Sequence, residues 1–332
     1  MVPRKYPACK PSDCDMEKEE GKMILVTEAT DFKGRAVVRH LVTEQYEARC
    51  ILQPSQHEQK LPSGVPFSTI SAQMDDLPSL RAAMQDVTAI IHTFEEDEEL
   101  GYRLEDHIAT TTNLIAAAQE ADVRRFIYLS RLGADRTSAY PLFLASGKAE
   151  AIVRESGLNY TILQPCLTVG PGDPFTPMLV MLAKFFPFIL PIPESGQTCF
   201  QPLCVHDLAK CAVATLKRGT MIGQTIPVGG PEHFTFEQLV TEVLAAAGLK
   251  RRLLRLRVPF IQWMAALANA LLPHDPIPLW WFDLLAVGST SDLLSIPRHF
   301  DFEARRISEC LSHLQSKRPW RRDFIRGTIT RR

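Results

Sequence analysis

Apolar and polar positions follow two periodic patterns along the first half of the chain. Short, nearly continuous apolar stretches are typical of buried strands, and the segments between them repeat apolar residues at helical spacing. The predicted strands are Met23–Thr27, Ala48–Leu52, Pro66–Ile70, Val87–His92, Arg125–Ser130 and Tyr160–Leu163. The predicted helices are Gly34–Thr43, Leu77–Met84, Leu104–Glu120 and Ala145–Ser156. Strands of this kind form a parallel sheet that helices cover on both faces. The pattern therefore predicts an α/β fold with a doubly wound parallel sheet.

After Pro165 the rhythm changes, and a smaller, mostly helical cap is predicted. Its elements are an apolar helix Met178–Phe188, a helix Val205–Leu216, a strand Thr225–Val228, a helix Phe236–Ala247 with Thr235 as its N-cap, and two helices between Val258 and Leu285. The Phe185–Phe188 and Trp280–Trp281 clusters are expected to pack in the core of the cap. An apolar ligand pocket or a docking face is the alternative for these clusters.

Composition narrows the class of protein without identifying it. The net charge is -1 across 332 residues, so the molecule as a whole is not attracted to nucleic acid or to an anionic membrane. The 8 cysteines show no zinc spacing and are interpreted as reduced thiols, several of them buried. We find no secretory signal and no uncharged apolar run long enough to cross a bilayer. We expect a cytoplasmic protein with no metal, no nucleic-acid partner and no transmembrane segment; peripheral membrane association stays open.

Five segments, in order, resemble one family. "ILVTEATDFKGRAVVRHL" is similar to a nucleotide-binding turn, "RRFIYLSRLGAD" to a strand ending at an active-site serine, and "SGLNYTILQPCLTVGPGDPF" to a strand with a glycine-proline loop. "FQPLCVHDLAKCAVATL" and "IPVGGPEHFTFEQLV" match later segments of the same pattern. From Met23 to Phe300 the chain resembles the atypical short-chain dehydrogenase/reductase family. That family includes epimerase-like proteins and an accessory subunit of respiratory complex I.

The resemblance implies a Rossmann core with an NAD(P) site, without distinguishing NAD from NADP. The implied boundaries are a flexible tail at 1–21, an NAD(P)-binding-like core at 22–165, a cap or substrate region at 166–315 with core elements returning at about 199–230, and a basic tail at 316–332. By resemblance, the cofactor would be held by Thr27, Thr30, Phe32, Lys33, Gly34, Gln53, Gln73, His92, Thr93, Ser130, Gln164 and Pro165.

The nucleotide turn, however, has lost two of the family's three glycines. The first glycine permits a tight turn, the second lets the backbone approach the pyrophosphate, and the third allows close helix–strand packing. Glu28, Asp31 and Gly34 stand at these positions. One carboxylate about 4 Å from a phosphate charge costs about 4 kcal/mol at an effective dielectric constant of about 20, which is roughly a thousandfold in affinity. The helix dipole stabilises a phosphate at this position by only about 0.3–1 kcal/mol. We therefore predict weak or absent dinucleotide binding, with Lys33 offsetting part of the repulsion if it points inward.

Other cofactor contacts are also altered. Gln53 and Pro54 stand where the family often has Arg or Asp for the 2′-phosphate or ribose, and Gln73 replaces an Asp near the adenine, where it could still bond the base. An acidic run from Glu95 to Glu99 would repel a nucleotide if it faces the crevice. The two carboxylates of the turn are expected to cap the following helix, and a divalent-cation site there is the less favoured alternative.

The catalytic pair of the family is missing. That pair is a Tyr with a Lys four residues later, and the Lys lowers the pKa of the phenol. With Lys148 as the lysine, the Tyr position holds Leu144; in the other alignment Ser146 replaces the lysine and Leu142 the tyrosine. Ser130 is left as a hydroxyl with no evident base. Asp207 is the other weak catalytic candidate, although a helix cap or a hinge is the favoured interpretation. His92 and Cys166 are expected to serve packing.

These observations favour an NAD(P)-binding-like protein that has lost hydride chemistry and binds its cofactor weakly. Such a protein would act as an accessory or assembly factor, or as a ligand sensor, with a protein partner or a small apolar ligand. The alternative is an active NAD(P)-dependent oxidoreductase or epimerase-like enzyme with a rearranged loop. A third hypothesis, by analogy with the complex I subunit, is a membrane-peripheral partner of a respiratory or photosynthetic complex.

Overall fold

The chain divides into two compact units. The structure is a computed structural model that describes residues 23–53, 61–62, 64–93, 104–186, 188–193, 196–271 and 280–315. The first unit runs to Pro165 and takes in Val205–Val228 and Ser295–Phe302. The second consists of Cys166–Cys204, Gly229–Leu294 and the residues from Glu303 onward. The predicted tails, Pro54 and the acidic run Glu95–Glu99 lie outside the described residues.

A parallel sheet forms the centre of the first unit. The strands of the chain are β1 (Met23–Val26), β2 (Glu47–Leu52), β3 (Ser68–Ser71), β4 (Val87–Thr93), β5 (Arg125–Leu129), β6 (Tyr160–Pro165), β7 (Thr168–Val169), β8 (Ile189–Pro193), β9 (Cys199–Phe200), β10 (Leu203–Cys204), β11 (Thr225–Val228), β12 (Phe234–Thr235) and β13 (Arg252–Leu256). Seven of them form one sheet in the order β11-β6-β5-β4-β1-β2-β3, with every pair parallel. The predicted doubly wound sheet is confirmed. The strand order reverses between β1 and β4, and such a point is where α/β sheets bind ligands.

Helices cover this sheet as the periodicity predicts. The helices of the chain are α1 (Phe32–Thr43), α2 (Leu77–Ala83), α3 (Leu104–Glu120), α4 (Pro141–Glu155), α5 (Phe175–Phe185), α6 (Val205–Leu216), α7 (Phe236–Ala246), α8 (Val258–Leu271), α9 (Trp280–Val287), α10 (Ser295–Phe300) and α11 (Ile307–Cys310). Side chains of α2, α3 and α4 share one buried cluster with sheet residues such as Leu25, Ile90 and Phe126. Helices α1 and α6 pack against each other. Because the apolar strand residues are buried, the sheet holds its carboxyl ends in fixed positions.

The second unit is built around α5 and α7, with three short two-stranded sheets. Strand β7 pairs with β10 and β8 with β13 in parallel, whereas β9 and β12 are antiparallel. Leu179, Val240 and Trp281 belong to one buried cluster, so the predicted core position of Trp281 is confirmed. The predicted N-cap is also confirmed, because the Thr235 hydroxyl accepts from the Gln238 amide and the Gln238 side chain accepts from the Thr235 amide.

Several predicted boundaries are wrong, each for a local reason. The helix predicted over Met178–Phe188 is α5, which starts at Phe175 and ends at Phe185. Pro187 cannot donate the amide that would continue it, and β8 follows. Helix α4 starts at Pro141 rather than Ala145, since proline fits the first turn of a helix. Strand β13 was not predicted, because arginines interrupt its apolar positions.

None of the helices in the described ranges is long and apolar enough to cross a membrane.

Candidate functional site

The carboxyl ends of five parallel strands bring most of the predicted site residues to one edge of the sheet. Thr27 follows β1, Gln53 follows β2, Thr93 ends β4, Ser130 follows β5 and Gln164 lies near the end of β6. Parallel pairing places these ends side by side. This edge is where a doubly wound sheet binds its ligand. The edge therefore carries the candidate site.

The turn between β1 and α1 brings the helix unusually close to the backbone of the turn. A Cβ atom on Gly34 would lie 1.9 Å from the Glu28 carbonyl oxygen and 3.0 Å from the Ala29 Cα. Any side chain there would clash with backbone atoms that cannot move alone. The prediction that Gly34 is the glycine of close helix–strand packing is confirmed. The inherited shape of the nucleotide turn survives without its two other glycines.

Glu28 turns its carboxylate toward the end of β2. Only 6% of the residue is exposed, and its Oε1 accepts a hydrogen bond of 3.1 Å from Gln53 Nε2. A buried carboxylate is tolerated only when it has polar partners. Gln53 supplies one at the position where the family places a group for the ribose or the 2′-phosphate. Glu28 and Gln53, which both depart from the family pattern, are therefore linked by a hydrogen bond.

Asp31 occupies the N-cap position of α1, and its carbonyl oxygen accepts the Arg35 backbone amide at 2.8 Å. Its backbone is extended and its side chain makes no capping hydrogen bond. The Arg35 guanidinium donates to the Thr30 carbonyl at the same end. Lys33 lies over the Phe32 ring, with its ammonium 5.7 Å from the ring centroid. The cationic side chains of this turn therefore have partners within the turn itself.

This geometry does not fit the pyrophosphate of a dinucleotide. The family uses glycines here so that backbone amides and the positive end of the helix dipole meet the phosphates. A buried carboxylate at Glu28 and a second at Asp31 give the turn negative charge instead. The favourable dipole, about 0.3–1 kcal/mol, is smaller than the repulsion of about 4 kcal/mol from one close carboxylate. We derive no hydride-transfer step through this site.

Behind the turn lies a fully buried polar network. His92 shares a hydrogen bond of 2.9 Å with the Thr27 hydroxyl through Nδ1, and one of 3.3 Å with the Thr111 hydroxyl through Nε2. The Tyr128 hydroxyl lies 2.9 Å from His107 Nε2, and the His92 and Tyr128 rings stack with centroids 5.3 Å apart. Burial lowers the pKa of His92 to about 3. It also lowers the pKa of His107 well below its usual value, and raises that of Tyr128. The prediction that His92 serves packing rather than proton transfer agrees with this burial.

We predict that His92 makes the fold acid-sensitive. Its pKa in the folded state is about 3 against an ordinary value of 6.5, so the unfolded chain binds the proton more readily. Stability is therefore lost as pH falls below about 6.5, by about 1.4 kcal/mol for each pH unit down to the folded pKa. Urea midpoints measured across this range should fall more steeply for the native chain than for His92→Gln. The exposed His233→Gln variant is the control, and an equal slope for His92→Gln and the native chain would contradict the prediction.

A second cluster surrounds Glu150, which was not predicted as a site residue. Its carboxylate is 1% exposed and accepts hydrogen bonds from the Ser130 hydroxyl at 2.6 Å, Gln164 Nε2 at 2.8 Å and Arg154 Nη2 at 2.6 Å. The expectation that Ser130 has no neighbouring base is wrong. One signal could have identified Glu150: it is the charged residue on the mostly apolar, buried face of α4. The cluster joins α4 to the ends of β5 and β6.

Helix α4 supplies no tyrosine–lysine pair in either alignment. Lys148 is exposed and Leu144 is half-buried, whereas Leu142 and Ser146 are buried. The Ser146 hydroxyl accepts a hydrogen bond of 2.9 Å from Arg131 Nε. Tyr128, although close along the chain to Ser130, is bonded to His107 and fully buried. Among the described residues of this region, no phenol stands in for the missing catalytic tyrosine.

A polar cleft of about 410 Å³ adjoins the Glu150 cluster. Its lining includes Asp135, Arg136, Glu150, Arg154 and Gln164. Gly147 permits the loop to approach α4, since a Cβ there would lie 2.2 Å from the Asp135 carbonyl carbon. The cleft is large enough for a small polar ligand.

The remaining candidates do not join either polar cluster. Gln73 follows β3 and is exposed, and its backbone forms hydrogen bonds with the Ser79 hydroxyl and the Asp76 amide. Asp207 is buried in the first turn of α6, so the interpretation as an N-cap is wrong. Cys166 is buried, and burial raises its pKa. In the described part of the chain, no group of three His, Cys, Asp or Glu side chains could hold a metal ion.

The seven-stranded parallel sheet and its helices define a Rossmann-type α/β fold. The NAD(P)H-binding family model matches residues 29–172. These residues belong to the NAD(P)H-binding Rossmann family, in its atypical short-chain dehydrogenase and epimerase-like branch.

Named relatives include accessory and assembly proteins. NADH dehydrogenase (ubiquinone) 1 alpha subcomplex subunit 9, mitochondrial, of Arabidopsis thaliana is 29% identical over 271 residues, covering 78% of this chain and 66% of the relative. Photosystem II assembly factor Ycf39 of Guillardia theta is 23% identical over 319 residues, covering 88% and 93%. The chain spans 60% to 66% of the length of the first three relatives. The printed names of the relatives include mitochondrial and chloroplastic proteins. The cytoplasmic location of this chain stays a prediction.

Solved structures show the same fold. Epimerase Mth375 of Methanothermobacter thermautotrophicus aligns with a TM-score of 0.71 at 15% identity, covering 93% of this chain and 95% of that one. A nucleoside-diphosphate-sugar epimerase of Staphylococcus aureus aligns with a TM-score of 0.69 at 15% identity, covering 88% and 99%. At this identity the likeness concerns the fold alone.

Proposed function

We propose that this chain is a family member that has lost hydride chemistry and acts by binding, as an accessory or assembly factor of a larger complex. The observation that carries the proposal is the β1–α1 turn, where the buried Glu28 carboxylate is bonded to Gln53. Both residues stand where the family contacts the dinucleotide. Negative charge there opposes the phosphates, while the surrounding fold remains intact.

The names of the relatives support a role in assembly. One is a subunit of an NADH dehydrogenase and another is a photosystem II assembly factor. Both names refer to multiprotein complexes, so we propose a protein partner of that kind for this chain. A ligand sensor is the related possibility, in which the 410 Å³ cleft holds a small polar molecule.

If a dinucleotide is held at all, it would lie at the carboxyl edge of the sheet. The residues that would hold it are those of the predicted set: Thr27, Thr30, Phe32, Lys33, Gly34, Gln53, Gln73, His92, Thr93, Ser130, Gln164 and Pro165. Three of these residues, Thr27, His92 and Thr93, are fully buried. Their side chains would hold the site in shape rather than contact the cofactor. Binding is expected to be weak because of Glu28 and Asp31.

A second candidate function rests on the Ser130–Glu150 pair. A hydroxyl 2.6 Å from a carboxylate resembles a nucleophile or acid with its base, and it adjoins the cleft. An active oxidoreductase or epimerase-like enzyme is therefore the alternative. The other hydrogen bonds of Glu150 argue against it, because Arg154 and Gln164 also donate to this carboxylate and hold it in a buried structural cluster.

Nicotinamide turnover separates the two proposals. The pure native chain, incubated with NADPH or NADH and a panel of ketones, aldehydes and nucleotide sugars, is expected to show no oxidation of the cofactor above the protein-free rate. Native gel electrophoresis of detergent-solubilised membranes from the source cells should place the tagged chain in a larger complex. Turnover by the native chain would contradict the accessory role, and its loss in a Ser130→Ala variant that remains folded would support the enzyme.

A further inference from the structure

The second unit carries a row of large apolar side chains on the outside of α8. Phe260, Trp263 and Leu267 are 49%, 59% and 44% exposed. Their spacing of three and four residues places them on the same side of the helix. The Phe260 and Trp263 rings stack with centroids 5.9 Å apart. Helix α8 contains no charged residue from Val258 to Leu271, so its outer side is apolar where a surface helix is ordinarily polar.

Neighbouring elements of the second unit also carry exposed apolar side chains. Helix α8 contacts β8, and β8 pairs in parallel with β13. Phe185 ends α5, Phe188 directly precedes β8 and Leu254 lies in β13, and these side chains are 75%, 80% and 46% exposed. The prediction that Phe185 and Phe188 belong to the core is therefore wrong, although Phe186 packs partly against the core. Groups of exposed apolar side chains often mark interaction sites, whereas single exposed apolar residues are common on any protein surface.

Positive charge borders this surface. The segment directly before α8 contains Lys250, Arg251, Arg252, Arg255 and Arg257, and no Asp or Glu occurs from residue 248 to residue 271. Arg255 is paired with Glu237 at 2.6 Å. The guanidinium of Arg251 donates to the carbonyls of Ala183 and Phe186. In a chain whose net charge is -1, this is a pronounced local concentration of positive charge.

We define the α8 surface as Phe185, Phe188, Leu254, Phe260, Trp263 and Leu267 with the exposed Arg252 and Arg257. We propose that the α8 surface binds the face of an anionic lipid bilayer. Aromatic rings, tryptophan above all, are favoured at the boundary between acyl chains and headgroups. Arginines beside them meet the lipid phosphates. Helix α8 would lie along the membrane plane, with its outer side a short distance into the boundary.

This inference goes beyond the proposed accessory role and depends on the second unit alone. It holds whether or not a dinucleotide binds at the sheet edge. A protein partner would be expected to supply acidic side chains and a complementary apolar groove, and a second copy of the chain would offer the same basic border and repel it. An anionic bilayer satisfies the charge and the apolar side chains together, so the charge pattern favours lipid.

Vesicle flotation with the full chain tests the proposal. Vesicles of phosphatidylcholine alone are compared with vesicles of phosphatidylcholine mixed with phosphatidylglycerol. The native chain is expected to float with the anionic vesicles, and high salt should release it, because the charge interaction is screened. Arg252→Gln with Arg257→Gln should weaken binding by roughly fivefold for each arginine. Phe260→Ser with Trp263→Ser should weaken it by at least about tenfold.

Matched variants separate the α8 surface from other exposed residues. Leu293→Ser with Leu294→Ser changes two side chains that are 43% and 58% exposed outside the surface. Arg39→Gln with Lys148→Gln removes two exposed charges from the first unit. Both controls should float like the native chain, and circular dichroism and thermal midpoints confirm that each variant is folded. The conservative Trp263→Phe variant should keep most of the binding.

Three results would overturn the proposal. The first is that the native chain floats with neither kind of vesicle. The second is that the Phe260/Trp263 and Arg252/Arg257 variants float as well as the native chain, which would move any membrane contact to another part of the molecule, such as the basic tail. The third is that analytical ultracentrifugation shows a native dimer that Trp263→Ser separates, together with no flotation, which would assign the surface to a second copy of the chain.

Discussion

Replacing Glu28 and Asp31 together with glycine is expected to raise the affinity for NADPH or NADH by at least about a thousandfold. Each carboxylate close to a phosphate opposes binding by about 4 kcal/mol at an effective dielectric constant of about 20. Gly34 already gives α1 its close approach to the turn. The double variant would therefore restore all three glycines on a backbone that has kept the shape of the nucleotide turn.

Thermal unfolding with each nucleotide measures this effect. A ligand present at about a hundred times its Kd adds about 2.7 kcal/mol of stability, so the double variant should show a clear rise in Tm where the native chain shows none. Glu28→Gln with Asp31→Asn removes the charge but keeps the volume, and an intermediate response is expected. If the native chain responds as strongly as the glycine variant, the electrostatic argument fails and the enzyme alternative gains support.

Glu150→Gln is expected to destabilise the fold by about 3 kcal/mol. The carboxylate is buried and holds Ser130, Gln164 and Arg154 with short hydrogen bonds. Glutamine has almost the same size, but it has only one acceptor oxygen and presents amide hydrogens to groups that themselves donate. The variant therefore loses charge-assisted bonds, which contribute about 1.5–3 kcal/mol each, and leaves donors without acceptors.

Urea unfolding of the native chain and of the variant measures the difference in the free energy of unfolding. Glu155→Gln is the matched control, because Glu155 is an exposed carboxylate on the same helix. Its stability should stay within about 0.5 kcal/mol of the native value. A Glu150→Gln variant as stable as this control would show that the cluster contributes little to folding, and that Glu150 is kept for another reason.

The two predictions concern opposite ends of one sheet edge, and both describe polar groups that have turned inward. Glu28 accepts a hydrogen bond from Gln53, and Glu150 accepts one from the Ser130 hydroxyl. By resemblance to the family, the positions of Glu28, Gln53 and Ser130 would face a ligand. In this chain these polar side chains form hydrogen bonds with other protein side chains. We therefore interpret the sheet edge as a structural hydrogen-bond network rather than as a cofactor site. This is why we favour a binding role over turnover.

Particular residues show how far sequence reasoning reached. The parallel strands, Gly34 and the Thr235 cap were predicted, because each follows from a local pattern or from one residue type at one position. Asp31 was predicted to cap α1 and lies at the N-cap position, but its side chain makes no capping hydrogen bond, since that bond depends on how the side chain turns within the folded loop. The Phe185–Phe188 cluster was placed in the core because apolar character alone does not show which side of an element is covered.

The sequence by itself determined the doubly wound sheet, the loss of two turn glycines and the absence of a tyrosine–lysine pair on α4. These are matters of periodicity and residue identity, and neighbouring positions suffice to establish them. Only the tertiary structure decided that Glu28 meets Gln53, that Glu150 gathers Ser130 and Gln164, and that Trp263 is exposed. Those facts depend on contacts between residues far apart along the chain, and the packed fold alone brings such residues together or leaves them facing outward.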